Sequence, residues 1–243
     1  MITVSGSGTF RWEAELSESF HEHVEPSLWS RQRLGTWVSA MESTCSEGRA
    51  DIVWGRFHPD DCPTQIAPYA ELLSNVTASR ILACTLRCRA AQTQEALRRS
   101  TGVSIPVLKK WIGELQSCEL LLETRDHRFR AGSLARSLPI VEICSFELKL
   151  KNWQRALYQA TRYRSFSHRV FVVMPESGVD AALQNKASFV KANVGLISHT
   201  TNGYSEVLVR PSKRKPHAAY RSIMALGMLS DKGSHKLATS RNA

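Results

Sequence analysis

Strand-like and helix-like segments alternate on both sides of a mostly helical stretch, and this order constrains the fold of the 243-residue chain more than any other feature. Residues 50–57 (ADIVWGRF) read as a short β-rich run after a turn at Gly48. Residues 139–151 read as a long strand, 152–166 as a helix and 170–174 as a buried strand. A helix over 179–191 follows, then strands over 194–199 and 205–209 joined by a Thr-Asn-Gly turn. Residues 12–23 and 31–41 carry apolar side chains at helical intervals and are expected as helices, while 58–68, rich in Pro and Asp, is expected as a loop. Strands that alternate with helices bury a sheet between helical layers, so the expected class is α/β: a mixed sheet flanked by helices and interrupted by a second unit.

That second unit spans residues 77–132. Helices are expected over 77–91 and 93–100, and a third starts at Ser104 as N-cap, with Pro106 in the first turn, where its missing N–H costs nothing. Val107, Leu108, Trp111, Ile112 and Leu115 then recur at helical spacing, and Gly102 supplies the tight turn before them. Segments 120–124 and 128–131 flank Arg125-Asp126-His127 as a β-hairpin. The stretch TQEALRRSTGVSIPVLKKWIGELQSCELL resembles winged helix-turn-helix domains. The resemblance implies a third helix facing the DNA major groove with Ser104, Lys109 and Lys110, and a wing carrying Arg125, Arg128 and Arg130. A helical protein–protein module would share this pattern.

Charge sharpens the functional reading. Lys and Arg number 32 against 22 Asp and Glu, a formal +10 that most often meets nucleic acid or an acidic surface. The surplus is uneven: residues 1–28 hold five glutamates against Arg11 alone, whereas 148–175 holds six basic residues and no acid. The last fourteen residues are polar, without periodicity, and are expected to be disordered. No apolar run approaches the ~20 residues that span a bilayer, and the N-terminus lacks a leader pattern. A cytoplasmic protein, with DNA rather than membrane as partner, is the expectation.

The chemistry concentrates in three short motifs. On a strand over 146–151, Glu147, Lys149 and Lys151 share one face and Phe146, Leu148 and Leu150 the other, so the polar face is expected to line a cleft. Glu147 suits a hard divalent cation, with Lys149 orienting or deprotonating a water beside it. Mg²⁺ or Mn²⁺ needs a second carboxylate, for which Asp51 in Gly48-Arg49-Ala50-Asp51 is the candidate, and the Leu148 carbonyl offers a further oxygen. On the following helix Gln159 and Tyr163 lie four apart on one face, with Arg155 a turn earlier; Lys151, Arg155 and Arg162 would hold phosphates.

Asp51, Glu147-x-Lys149 and Gln159-xxx-Tyr163 together resemble the active-site set of the PD-(D/E)XK nuclease superfamily, and the GxxD and QxxxY elements those of its RecB-like branch. The resemblance covers about a third of the chain. It implies a restriction-endonuclease-like sheet and a metal-dependent deoxyribonuclease, with Asp51 and Glu147 as ligands, Lys149 at the attacking water, and Gln159 and Tyr163 near the metal or phosphate. Ninety-five residues separate Asp51 from Glu147, where the family usually has a short link; an inserted domain accounts for the gap. The expected organisation is a nuclease-like domain in two parts, 1–75 and 137–229, around a winged helix-turn-helix at 76–136, with a basic tail at 230–243. The family's first-helix glutamate could be Glu15 or Glu22. Cutting both strands of a duplex would call for two active sites, hence a homodimer or a second visit. The competing reading is a non-catalytic DNA-binding regulator, or a repair or defence accessory protein, on a degenerate nuclease fold.

Overall fold

A computed structural model describes residues 8–30, 35–45, 48–58, 60–61, 63–231 and 236–239. The strands among them are β1 (Thr36–Cys45), β2 (Gly48–Phe57), β3 (Leu121–Glu123), β4 (Phe129–Ala131), β5 (Glu142–Leu148), β6 (Arg169–Pro175), β7 (Gly195–His199), β8 (Ser205–Val209) and β9 (Lys236–Thr239). One mixed sheet runs in the order β8-β7-β6-β5-β2-β1-β9, and β3 and β4 pair separately. β5, β6 and β7 are parallel to one another; the other neighbours are antiparallel.

The helices are α1 (Glu13–His23), α2 (Pro63–Ile66), α3 (Ala70–Ser74), α4 (Val76–Arg87), α5 (Gln94–Thr101), α6 (Ile105–Ser117), α7 (Ser133–Arg136), α8 (Trp153–Tyr163), α9 (Asp180–Gln184), α10 (Lys186–Ala192) and α11 (Ala219–Ser230). Polar side chains set several starts: Asn75 accepts from the Thr77 and Ala78 N–H groups, Thr93 from Ala96 and Asn152 from Arg155. Ser104 occupies the N-cap position of α6 without a side-chain capping bond. Gly102 ends α5 at φ +70°, a left-handed turn that glycine adopts without strain. Among the described residues no helix is long and apolar enough to cross a membrane.

Both faces of the sheet are covered, and alternation along the strands divides the core in two. Ile52 and Trp54 of β2, Phe146 and Leu148 of β5, and Phe171 and Val173 of β6 face Leu16 and Phe20 of α1, with Trp29 wedged between. The Trp29 ring lies 4.8 Å from that of Phe146 and 5.8 Å from that of Trp54, edge-on in both cases. On the opposite face Val53, Ile143, Val170 and Val172 meet α8, α4 and α11, and the same apolar cluster continues to Leu97 of α5, Leu108 of α6 and Phe129 of β4. A helix between two parallel neighbours must cross over the sheet, which is why α8 lies against this face between β5 and β6.

Several expectations change. Residues 36–41, read as part of a helix over 31–41, belong to β1; residues 31–34 lie outside the described residues. A run this short fits either period, and pairing with β2 from Thr36↔Phe57 onward decides for the strand. Gly35, at φ +127°, turns the chain into β1 where a Cβ would collide with the Phe57 carbonyl oxygen. The expected loop at 58–68 contains α2, and the expected helix at 179–191 breaks at Asn185 into α9 and α10. The strand expected over 139–151 runs only from Glu142 to Leu148, so Lys149 and Lys151 both lie beyond its end. Ser230, placed in the disordered tail, is the last residue of α11, and residues 236–239 of that tail pair with β1 as β9. Backbone pairing to an open sheet edge needs no side-chain pattern, so periodicity does not report it.

The sheet is also pinned by one buried carboxylate. Glu142 at the start of β5 is 5% exposed and meets Lys213 at 3.0 Å, Arg56 of β2 at 3.2 Å and Arg169 of β6 at 3.4 Å. Burial pushes its carboxyl up, but the Lys213 hydrogen bond and the three cations outweigh burial and hold it below its ordinary value. A depressed folded pKa stabilises the protein above the unfolded value and loses that contribution as pH falls through the folded one. Glu142→Gln should therefore cost about 1.5–3 kcal/mol at pH 7, by removing the charge-assisted bonds that Lys213, Arg56 and Arg169 make to the carboxylate. It should also flatten the loss of stability below about pH 4; urea titrations across pH measure both.

Candidate functional site

The β2–β5 ladder stops at Ile52↔Phe146. One residue further on each strand stand Asp51 and Glu147, and the Leu148 N–H donates to the Asp51 carboxylate Oδ2 at 2.7 Å instead of to a backbone carbonyl. The strands part here because a side chain has taken the place of a ladder bond. Glu147 shares its sheet face with Ile143 and points beneath α8, where it is 1% exposed. The Tyr163 hydroxyl of α8 lies 2.5 Å from Glu147 Oε2 and 2.8 Å from the Arg49 carbonyl of β2, so one phenol joins three elements.

Lys149 closes the constellation. Its Nζ is 2.9 Å from Glu147 Oε1, 3.1 Å from the Leu148 carbonyl and 3.1 Å from Oε2 of Glu13 at the start of α1. The contact with Glu147 Oε1 is an ion pair without a well-directed hydrogen bond, which leaves that buried oxygen with accepting capacity to spare. Gln159 Oε1, one helical turn before Tyr163, is likewise buried without a hydrogen-bond partner among the described residues. Desolvation, and next to it the charge of Glu147, push the Asp51 carboxyl up to about 6, against the weaker pull of the Leu148 N–H and Lys149. Burial works against the Lys149 ammonium, but its close ion pair with Glu147 and the charge of Asp51 prevail and raise its pKa, so it stays protonated at neutral pH.

Neither Glu15 nor Glu22 is seen to reach Lys149. Glu15 accepts from the Arg11 N–H at the N-terminus of α1, and Glu22 is exposed near its far end. Glu13 reaches Lys149. The signal was available: Glu13, Leu16 and Phe20 follow the i, i+3, i+7 spacing of one helix face, so the buried stripe of α1 carries Glu13 to the sheet.

The acid-free stretch does not form one stripe. Lys151, Arg155 and Arg162 are exposed, the last two on α8. Arg164 donates to the Ala192 carbonyl and Arg169 to Glu142 and the Pro211 carbonyl, so both serve the scaffold. Lys109 and Lys110 on α6, and Arg125, Arg128 and Arg130 around the β3–β4 hairpin, are exposed and belong to a separate surface formed by other elements.

Asp51 and Glu147 bring two carboxylates to the place where β2 and β5 part, the number of acidic side chains Mg²⁺ commonly takes from a protein, and the Leu148 carbonyl lies 3.1 Å from the same Lys149 Nζ that meets Glu147. Among the described residues no group of three or more His, Cys, Asp or Glu side chains is placed to hold a metal ion. The donor chemistry fits a hydrated hard cation rather than a closed cage.

A carboxyl whose folded pKa is raised destabilises the fold once ionised, and that cost grows as pH rises from about 4 to 6. Asp51→Asn keeps an acceptor for the Leu148 N–H and removes the charge. In chelator at pH 7.5 the variant should be more stable than the parent by about 1–3 kcal/mol, and the gain should vanish near pH 4. Chemical denaturation at the two pH values checks this. No protein-family model matches the chain, and no curated protein or solved structure matches it either.

Proposed function

We propose that the chain is a divalent-metal-dependent nuclease of PD-(D/E)XK type that hydrolyses DNA phosphodiester bonds. The observation that carries the reading is the meeting of Asp51, Glu147, Lys149 and Tyr163, spread over more than 110 positions, at the end of the sheet where β2 and β5 part. A structural ion pair needs only Glu147 and Lys149; Asp51 accepts the Leu148 N–H, a bond a neutral side chain could also take, yet it sets a second carboxylate at a raised pKa beside the first. In this reading Asp51 and Glu147, with the Leu148 carbonyl, hold Mg²⁺ or Mn²⁺, and the ion supplies polarisation of the scissile phosphate.

The remaining roles follow from the chain's own groups. Tyr163 fixes the Glu147 carboxylate through Oε2, so Oε1 is the oxygen turned toward the reaction. Lys149, held charged, orients the attacking water and stabilises negative charge on the phosphate rather than abstracting a proton. Glu13 braces Lys149 from α1, and Gln159 brings an unused buried oxygen to the same helix face as Tyr163.

We read α4, α5, α6 and the β3–β4 hairpin as a winged helix-turn-helix that docks the DNA. Three helices, a left-handed turn at Gly102 and a two-stranded hairpin occur in that order, and α6 exposes Lys109 and Lys110 beside Ile105 and Val107. Arg125, Arg128 and Arg130 line the exposed hairpin, with Arg128 paired to Asp126 at 2.9 Å.

Digestion of linear, circular and single-stranded DNA with Mg²⁺ or Mn²⁺ tests the chemistry. Glu147→Ala and Lys149→Ala should each lower cleavage by about 10³-fold or more, while DNA retention in gel shifts is preserved. Unchanged cleavage in both variants would sink the nuclease reading, and DNA binding without cleavage by the parent protein would favour the non-catalytic one. The docking surface has its own test: Lys109→Ala with Lys110→Ala should weaken binding to all duplex sequences alike. Each lost phosphate contact should lower the slope of log affinity against log salt by about 1.

A further inference from the structure

A second basic site lies away from these residues. Between α4, the end of α5 and the start of α11 is a pocket of about 600 Å³, within the roughly 300–1,000 Å³ of small-molecule sites. Arg80, Cys84 and Arg87 share one stripe of α4 at the i, i+4, i+7 spacing and form one wall. Arg99 closes the α5 side, and His217 and Tyr220 the α11 side. Among the described residues no Asp or Glu lines the pocket.

The arginines are held to different degrees. Arg80 donates to the Thr101 carbonyl at 3.1 Å, and its guanidinium stands 5.0 Å from the centre of the Tyr220 ring, so its position is set before any ligand arrives. Arg99 meets Glu95, outside the pocket, at 3.5 Å. Arg87 has no hydrogen-bond or ion-pair partner among the described residues. Arg80 and Arg87 thus have no carboxylate partner among the described residues, and a guanidinium matches phosphate oxygens two at a time.

We propose that this pocket binds a phosphorylated small molecule carrying at least two phosphate groups, of the size and charge of a nucleoside diphosphate. A DNA backbone is the less suitable occupant. The residues assigned above to duplex docking lie on α6 and the β3–β4 hairpin, neither of which lines the pocket. The site stands whether or not the nuclease reading does, since it shares no residue with Asp51, Glu147 or Lys149.

Calorimetric titration of the full chain, in chelator and at fixed ionic strength, tests the site with ADP, inorganic pyrophosphate and adenosine as probes. ADP and pyrophosphate should bind saturably with one site per chain, and adenosine should not bind. Arg87→Glu and Arg99→Glu, both at exposed positions, should each weaken ADP by about 10-fold or more, with unchanged thermal unfolding, while Lys109→Ala with Lys110→Ala should leave ADP affinity as it was. Absence of saturable binding, equal weakening by the α6 variants, or adenosine binding as well as ADP would overturn the proposal. So would a duplex oligonucleotide that displaces ADP and loses as much affinity as ADP does in Arg87→Glu, since the pocket would then be part of the DNA surface.

Discussion

A carboxylate at 1% exposure must be neutralised or fully engaged, and Glu147 is the point at which that requirement organises the molecule. Tyr163 answers it from α8, Lys149 from the end of β5, and through these two side chains the Arg49 carbonyl of β2 and Glu13 of α1 are drawn to the same place. The core makes this arrangement possible. With both faces of β5 buried, α8 is pressed against the sheet by Ala156 and Ala160, small enough to bring Tyr163 within reach of the strand. Replacing the ion pair by well-packed apolar residues could give an equally stable protein, so stability alone does not require charges at this point.

The charge of the chain separates by burial rather than by position along the sequence. Lys149 and Arg169 both come from the acid-free stretch, yet one meets the candidate site and the other helps pin Glu142 at the opposite end of β5. Strand direction explains the division: Glu142 and Glu147 begin and nearly end the same strand, and each collects the cations that reach its own end. The exposed bases then fall into groups that belong to different elements: α8, α6 with its hairpin, and the α4–α5 corner facing α11. A net charge of +10 is the sum of these unlike parts.

Legibility in the sequence followed the length scale of each signal. The E-x-K strand, the helix after it and the Gln159/Tyr163 pair were readable because each depends on spacings of two to four residues, which backbone geometry sets locally. The helices of the middle unit were readable for the same reason, reinforced by caps at Asn75 and Thr93 and the turn at Gly102. Glu13 was missed although its spacing to Leu16 and Phe20 carried the information, because a glutamate reads by default as solvent-facing. Residues 36–41 were misread because a short apolar run fits two periods, and only its partners choose between them.

By itself the sequence determined the α/β class, the alternation that buries both sheet faces, and the identity of the residues able to do acid, base or metal chemistry. Tertiary structure alone decided which of them meet. It set the strand order that places β2 beside β5 across a separation of 97 residues between Asp51 and Leu148, brought Glu13 to Lys149, sent Arg169 to the scaffold, and opened the basic pocket against α11. The physical reason is that local spacing fixes only which side of an element a residue occupies. Whether that side meets a partner, a cleft or water depends on how buried apolar faces pack over long range, which no short window of sequence contains.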